Sequence, residues 1–495
     1  MKKINIGLVL TLVVATVLRL YNLTTLALWH DEAFSALLIR YPWKEMFYRI
    51  GLDVHPPIYY VALRLWSYIF GYSLWSLRGF SAFFGVLTVY AVYLFVKAAF
   101  KREDIALGAA LLVAINPFQI QYVTEARMYT FGTFVLIISA YFLVKAFETE
   151  RKKYWLAFAI ATSLAMYTHY YLFFSVFAIG LFALYYAIKN YGSEMRRYKN
   201  LLWSYVLVLI LYIPWLKTFK FQFTQVQDNY WIPKIDRWSV WETNFRLITG
   251  SGADTAKHSI QITLVIAALF SLFLIYRIIK KEQSKFKWLV LLCFIVPFIG
   301  AVLLSIKQSI YLDRYFLFAA LFYSVALAMF IFEVQRVKLR YALFAILILV
   351  SLINWVKFWQ QLDVSNKPGM AAAAQYLNNN AESKDKIDLG SSFEYFNYKY
   401  YNHTGIKALL YTPGITSVHQ LPHFSGTALL NDDDLIHDFN ANTKAGDTAW
   451  VLWTNAFGGS KPTPPSNWVQ IDEKLWQDVH PYPGTWIVVT EYKVK

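Results

Sequence analysis

Apolar runs separated by short polar stretches recur over the first 357 positions. Most are long enough to carry a helix across a hydrocarbon core about 30 Å thick. They lie near 4–22, 78–100, 105–118, 129–147, 153–168, 170–188, 201–217, 259–279, 287–306, 315–335 and 340–357, and predict eleven spans. The runs at 105–118 and 153–168 are short. They either rely on tilt and flanking aromatic residues or form part of a re-entrant pair, and losing a pair leaves the orientation of the others unchanged. The first run follows Met1-Lys2-Lys3 as a signal peptide does. It is long, contains Arg19 and lacks a small-residue cleavage pattern, so it reads as a retained helix.

Three segments on the far side of these spans are long. Residues 23–77 hold two amphipathic patterns, near 32–50 and 58–70. In the second, Tyr59, Leu63, Trp66 and Phe70 share a face with Arg64 off it, as in a helix lying in the membrane interface; a span over 58–77 also fits. Residues 217–258 are aromatic and polar, with Asn229-Tyr230-Trp231-Ile232-Pro233 at their centre. From Phe358 the character changes again. Asn378-Asn379-Asn380, Asp432-Asp433-Asp434 and Pro462–Pro465 read as turns, 449–453 and 485–489 as strands, and 371–377 as a helix. The chain is thus expected to be mainly α. Residues 1–357 form a polytopic membrane helix bundle with interfacial helices in the first outer loop, and 358–495 a small soluble α/β domain.

Charge fixes the expected orientation. With the N-terminus inside, twenty-one Lys and Arg, from Lys2 and Lys3 to Arg336, Lys338 and Arg340, fall in or beside six cytoplasmic segments. Only Arg127, Lys307 and Arg314 fall in the short loops opposite. This is the positive-inside pattern, and it predicts an integral cytoplasmic-membrane protein with its C-terminal domain extracytoplasmic. The formal net charge of +16 therefore points to membrane lipids and not to nucleic acid. Beyond Phe358 the chain carries ten Lys, no Arg and fourteen Asp or Glu, so the basic excess belongs to the membrane part. Cys293 is the lone cysteine and sits in an apolar run, which excludes a disulfide and a thiolate metal site. No GxGxxG or Walker loop is present, nor an internal repeat.

The candidate chemistry gathers on one expected face. Asp31 and Glu32 follow the first span, His55 precedes Pro56-Pro57, Glu125, Arg127 and Tyr129 follow the third span, and His169 and Arg314 stand at later loops. Each has a plainer reading. Asp31 and Glu32 fit a solvated loop, His55 a helix start, Arg127 a local pair with Glu125, His169 an interfacial hydrogen bond, and Arg314 a helix-end pair with Asp313. Together, acids, arginines and histidines at one membrane depth are costly to explain as packing. A carboxylate can serve as general base, and guanidinium groups suit bidentate contact with phosphate.

Arg19-Leu20 through Trp29-His30-Asp31-Glu32-Ala33, then His55-Pro56-Pro57-Ile58-Tyr59-Tyr60 and Glu125-Ala126-Arg127-Met128-Tyr129, resemble the GT-C glycosyltransferases. The branch is that of protein O-mannosyltransferases and the lipid A aminoarabinose transferase. Thr168-His169-Tyr170-Tyr171 and Asp313-Arg314-Tyr315 fit the same branch. The resemblance covers 1–357 and implies inverting transfer of a sugar from a polyprenyl-phosphate donor to a lipid, glycan or protein acceptor on the outer face. It implies Asp31 as the base or acceptor-binding acid, with Glu32 beside it as a second catalytic candidate, and Arg127, Tyr129 and Arg314 at the donor phosphate. His55, Glu125 and His169 would support substrate. Glu125 stands where some relatives carry Asp, so its role and any divalent metal are left open; no other cofactor is called for. The rival readings are a transporter or flippase of lipid-linked sugars, which would place its charges near the bilayer midplane, and a receptor, which would not need Asp31.

Overall fold

Backbone N–H and C=O groups find no water in hydrocarbon, so apolar runs of this length fold as helices whose bonds close internally. The computed structural model describes residues 5–189, 195–228, 231–250, 258–281, 284–479 and 484–495. Lys2, Lys3, Asn229 and Tyr230 lie outside the described residues. The chain begins with α1 (Ile6–Leu20), α2 (His30–Leu38), α3 (Trp43–Leu52), α4 (Ile58–Phe70), α5 (Leu74–Phe100), α6 (Glu103–Ile115) and α7 (Pro117–Gln121). It continues through α8 (Tyr129–Thr149), α9 (Lys152–Met166), α10 (Leu172–Lys189), α11 (Met195–Tyr212), α12 (Leu216–Asp228) and α13 (Ser239–Thr249). Then follow α14 (His258–Lys280), α15 (Lys287–Ser305), α16 (Leu317–Glu333) and α17 (Val337–Leu362).

Each of the eleven predicted spans coincides with a helix: α1, α5, α6, α8 to α11 and α14 to α17. By length and composition, seven helices among the described residues can cross a membrane, or eight if residues 103–115 and 117–124 count as one bent span. That pair bends by 51°. The short run at 105–118 is therefore a broken helix, and α1 and the apolar part of α10 are shorter apolar helices.

In the first outer segment the pattern near 32–50 divides into α2 and α3, because Pro42 lacks the N–H needed to continue a helix and instead precedes a new one. In α4, Tyr59 and Leu63 are buried as expected, but Arg64 is buried as well. Its guanidinium lies 4.3 Å from the Trp43 ring centroid and 5.4 Å from that of Tyr68, and it donates to the Tyr41 carbonyl. Those contacts replace the water that a charge off the apolar face would otherwise keep.

The C-terminal residues build α18 (Gly369–Asn380), α19 (Ser392–Tyr401) and a six-stranded sheet. Its strands are β1 (Lys386–Leu389), β2 (Leu409–Tyr411), β3 (Leu435–Ile436), β4 (Thr448–Thr454), β5 (Trp468–Asp478) and β6 (Thr485–Val494), in the order β3-β2-β1-β4-β6-β5. Pairing is parallel from β3 through β4 and antiparallel from β4 to β5. The predicted strands and helix are all present. Asp434, expected in a solvated turn, is buried and accepts from Tyr395 Oη at 3.0 Å.

This unit is fastened to the first outer segment. Tyr401 Oη accepts from the Leu28 N–H at 2.9 Å, and Tyr400 Oη donates to the Tyr72 carbonyl at 3.2 Å. Arg49 donates to the Ala428 carbonyl at 3.0 Å and to Asn431 at 3.2 Å. Helix α19 packs directly on α2, the helix that carries Asp31.

The charge asymmetry and this docking together set an orientation test. Cysteines at the exposed Ser73 and Ser383 are expected to react with an impermeant maleimide from outside intact cells, and one at the exposed Thr149 is expected not to. Cys293 is buried and gives little background. Labelling of Thr149→Cys alone would reverse the orientation.

Candidate active site

The site is held by two buried arginines that the apolar pattern conceals. Pro117 has no N–H to give the Val113 carbonyl, so α6 ends there with unsatisfied acceptors. Arg19, only 1% exposed, supplies the missing donors: Nη2 to Val113 O at 3.1 Å and Nη1 to Ala114 O at 2.8 Å. Gly85 makes room, since a Cβ there would lie 2.9 Å from Arg19 Nε. The chain can then turn, and Asn116 caps α7 through the Gln119 N–H at 2.9 Å. The turn delivers Glu125-Ala126-Arg127 to the end of the bundle.

The second arginine joins the loop after α1 to the loop after α7. Glu32 is fully buried, and its carboxylate receives Arg78 Nε at 2.8 Å and Nη2 at 2.7 Å. The same Oε1 accepts the Ala126 N–H at 2.7 Å. Arg78 also donates to the carbonyls of Leu23, Leu26 and Ala27 at 2.9–3.2 Å. Glu32, expected beside Asp31 as a catalytic acid, thus has its carboxylate committed to holding loops. Removing either partner would leave a buried unpaired charge, a cost of about 3–5 kcal/mol.

Asp31, one position earlier, turns the other way into a cavity of about 1320 Å³. Its side chain is 23% exposed, and Oδ2 lies 3.5 Å from Arg314 Nη1 and 3.8 Å from Arg127 Nη2. Both distances exceed those of charge-assisted hydrogen bonds, about 2.7–2.9 Å. Arg127 is fixed by other contacts: Nη1 donates to Asp31 O at 3.1 Å and Ser35 Oγ at 3.2 Å, and Nη2 meets His55 Nε2 at 3.3 Å. His55 Nδ1 lies 2.9 Å from Asp53 Oδ2. Arg314 is held among the rings of Trp29, Tyr129, Trp231 and Tyr315, at 5.4–5.9 Å from their centroids. His169 Nδ1 accepts the Tyr171 N–H at 3.1 Å, so its buried Nε2 carries the proton and has no hydrogen-bond partner. Tyr129 packs at a tilt near both His169 and Tyr315, with ring centroids 5.7 and 6.3 Å away.

All eight expected site residues therefore line one cavity. The local pairs do not form as the plainer readings had them. Arg127 turns to Asp31 and His55 rather than to Glu125, and Asp313 pairs with Arg246 rather than with Arg314. Asp53, Arg78, Arg19 and Arg246 were not foreseen. Only Asp53, two positions from His55, left a local signal. Among the described residues no group of three or more His, Cys, Asp or Glu is placed to hold a metal ion.

Electrostatics separate the acids. Burial works to raise the Asp31 carboxyl, but Arg127 and Arg314 outweigh it and hold Asp31 below the ordinary carboxylate value. Asp53 is held low in the same way, with His55 opposing burial. His169 is driven well below the usual imidazole value by burial, then by His55, Arg127 and Arg314, so it is neutral. Glu125 is pushed up to about 8 by burial, with Glu32 and Asp31 adding to it, and its Oε2 has no partner. Near pH 7 it is a neutral acid beside a charged one.

Comparison with known proteins fits this geometry. Residues 54–217 match the family described as dolichyl-phosphate-mannose-protein mannosyltransferase, a stretch that includes His55, Glu125, Arg127, Tyr129 and His169 but not Asp31 or Arg314. The structure resembles ArnT from Cupriavidus metallidurans bound to undecaprenyl phosphate, with a TM-score of 0.60 over 97% of each chain at 12% identity. The chain shares the fold of that structure. Within that fold it also resembles the oligosaccharyltransferase AglB from Archaeoglobus fulgidus, in complex with an inhibitory peptide and a dolichol-phosphate: TM-score 0.52, 13% identity, 90% of this chain and 69% of that one. The arabinofuranosyltransferase AftD from Mycobacteria gives a TM-score of 0.56 at 12% identity, over 98% of this chain and 40% of its own. No curated protein matches by sequence.

The neutral state of Glu125 has a measurable consequence. Its folded value of about 8 lies above the ordinary 4.5, so the folded protein binds the extra proton between those limits and stability falls as pH rises through them. Glu125→Gln removes that dependence. The variant's apparent Tm in detergent is expected to exceed that of the parent by a margin that widens from pH 5 to pH 8 and then stays constant. A margin independent of pH would show Glu125 ionised in the fold.

Proposed function

We propose that the chain is a membrane glycosyltransferase that moves a sugar from a polyprenyl-phosphate donor to a lipid, glycan or protein acceptor, with inversion at the anomeric carbon. The observation that carries this reading is the loose engagement of Asp31 by two arginines inside one cavity. An incoming phosphate can take both guanidinium groups at closer range than Asp31 does. As it does so, the influence that depresses the Asp31 carboxyl weakens, and Asp31 becomes a better base as the donor binds.

In the reaction, the acceptor oxygen attacks the anomeric carbon from the face opposite the phosphate, and Asp31 takes the acceptor proton. The bond between that carbon and the phosphate oxygen breaks, and its electron pair leaves with polyprenyl phosphate. Arg127 and Arg314 receive the growing negative charge, and the free Nε2–H of His169 is available as a neutral donor. Asp53 holds the His55 ring through Nδ1 and Nε2 lies against Arg127, so the pair positions the guanidinium. The apolar part of the cavity lining from α10, α12 and α15, with Phe173, Phe219, Phe223 and Leu304, suits the first isoprene units of a lipid donor. The reading also makes residues beyond α17 an extracytoplasmic domain that covers the reacting centre, and the boundary then falls after Leu362.

Binding of undecaprenyl phosphate to the purified chain tests the donor half of this reading. Arg127→Lys and Arg314→Lys keep the charge but lose the fork, and each is expected to weaken binding by about 1.5–3 kcal/mol, roughly tenfold or more. Unchanged affinity in both variants would reject the phosphate assignment.

A further inference from the structure

Three phenylalanines from separate C-terminal segments lie nearly parallel over the cavity. Phe393 is in the first turn of α19, Phe424 in the 3-10 turn His423–Ser425, and Phe457 in the 3-10 turn Ala456–Gly458. The Phe393 and Phe457 rings are 4.4 Å apart at 17°, and those of Phe393 and Phe424 are 6.4 Å apart at 16°. All three line the cavity that holds Asp31. His30, which precedes Asp31, has its ring 5.1 Å from Phe393, so the stack begins one residue from the carboxylate.

We propose that this stack is the acceptor platform, and that the acceptor presents a saccharide ring to it. The inference rests on the reading of the cavity as a glycosyl-transfer site, and it names the acceptor class. Phe457 holds φ at 53°, a conformation that side chains other than Gly, Asn and Asp rarely adopt, yet its ring is left 38% exposed. The fold thus strains its backbone to hold open an apolar ring that it does not bury, and such a cost belongs to a binding surface rather than to a core.

The chemistry selects the occupant. Aromatic faces carry negative potential, and one face of a pyranose presents weakly positive C–H groups while its rim stays polar. A ring seated on the exposed Phe457 would keep its hydroxyl rim free for the polar groups of the cavity. An extended peptide bound by strand addition would instead need an open strand edge, and among the described residues none of the C-terminal positions lining the cavity lies in a strand. A flat stack is also a poor seat for an acyl chain, for which the apolar lining from α10, α12 and α15 is available.

The test is saturation-transfer NMR on the full chain in nanodiscs. The probes are maltose, N,N′-diacetylchitobiose and methyl α-D-mannopyranoside, octyl β-D-glucopyranoside below its micelle concentration, and a Ser/Thr-rich peptide. Phe457→Gly removes the ring while relieving the left-handed strain, so the variant should fold at least as well. Phe457→Tyr keeps the ring. The expected result is transfer to the C–H protons of at least one sugar, weakened at least fivefold in Phe457→Gly, retained in Phe457→Tyr, with undecaprenyl phosphate binding unchanged in both. Response to a free sugar identifies a glycan acceptor, and response only to the octyl glycoside a glycolipid headgroup. Both support the platform. No sugar response, a response unchanged in Phe457→Gly, or a response to the peptide alone would overturn it. Intact donor binding in that case would leave the glycosyl-transfer reading standing, whereas loss of the Arg127 and Arg314 dependence would remove that reading itself.

Discussion

A buried carboxylate must be paired or give up its charge, and the pairing of Glu32 with Arg78 is the constraint from which this site follows. The pair lies where the loops after α1 and α7 meet, and a remaining lone pair of Glu32 takes the Ala126 N–H. One interaction therefore fixes the start of α2 against the loop after α7. Adjacent residues on a helix point about 100° apart, so holding Glu32 inward turns Asp31 toward the cavity. The same anchor places Arg127, next to Ala126, within reach of Asp31. Arg19 acts on the broken helix that delivers this loop, which would otherwise end on buried, unsatisfied carbonyls.

Two acids of similar sequence context thus receive opposite environments. Asp31 stays ionised because two cations face it, while Glu125 is neutral because burial and neighbouring carboxylates dominate. Carboxyl groups with separated values in one cavity are the arrangement that acid–base chemistry needs. The C-terminal unit completes the enclosure. Its α19 rests on α2, and its phenylalanines roof the cavity beside His30.

Much of this was legible in the sequence because hydrophobic length and charge asymmetry are strong, local signals. They placed a helix at each apolar run, seven of them or eight long and apolar enough to cross a membrane among the described residues, and the loops carrying Asp31, His55, Glu125, Arg127, His169 and Arg314 meet at one cavity. The pairings were not legible. Arg78 meets Glu32 across 46 positions, and it stands at the edge of an apolar run where it reads as a boundary residue. Arg19 bonds carbonyls 94 and 95 positions away, which no side-chain pattern records. Arg64 was misjudged for a related reason: its aromatic and carbonyl partners belong to the neighbouring α3 region, not to its own helix face. The number of spans was also beyond reach, since Pro117 breaks a run that composition alone reads as continuous.

The central claim is that Asp31 takes the acceptor proton, and sugar transfer by Asp31→Asn tests it most directly. Asparagine keeps the shape of the side chain and one acceptor oxygen but cannot accept a proton at neutral pH. A positioned general base contributes about 10²–10⁴-fold to rate, so transfer from a polyprenyl-phosphate sugar should fall by that order while undecaprenyl phosphate still binds. Near-normal transfer by Asp31→Asn would contradict the account.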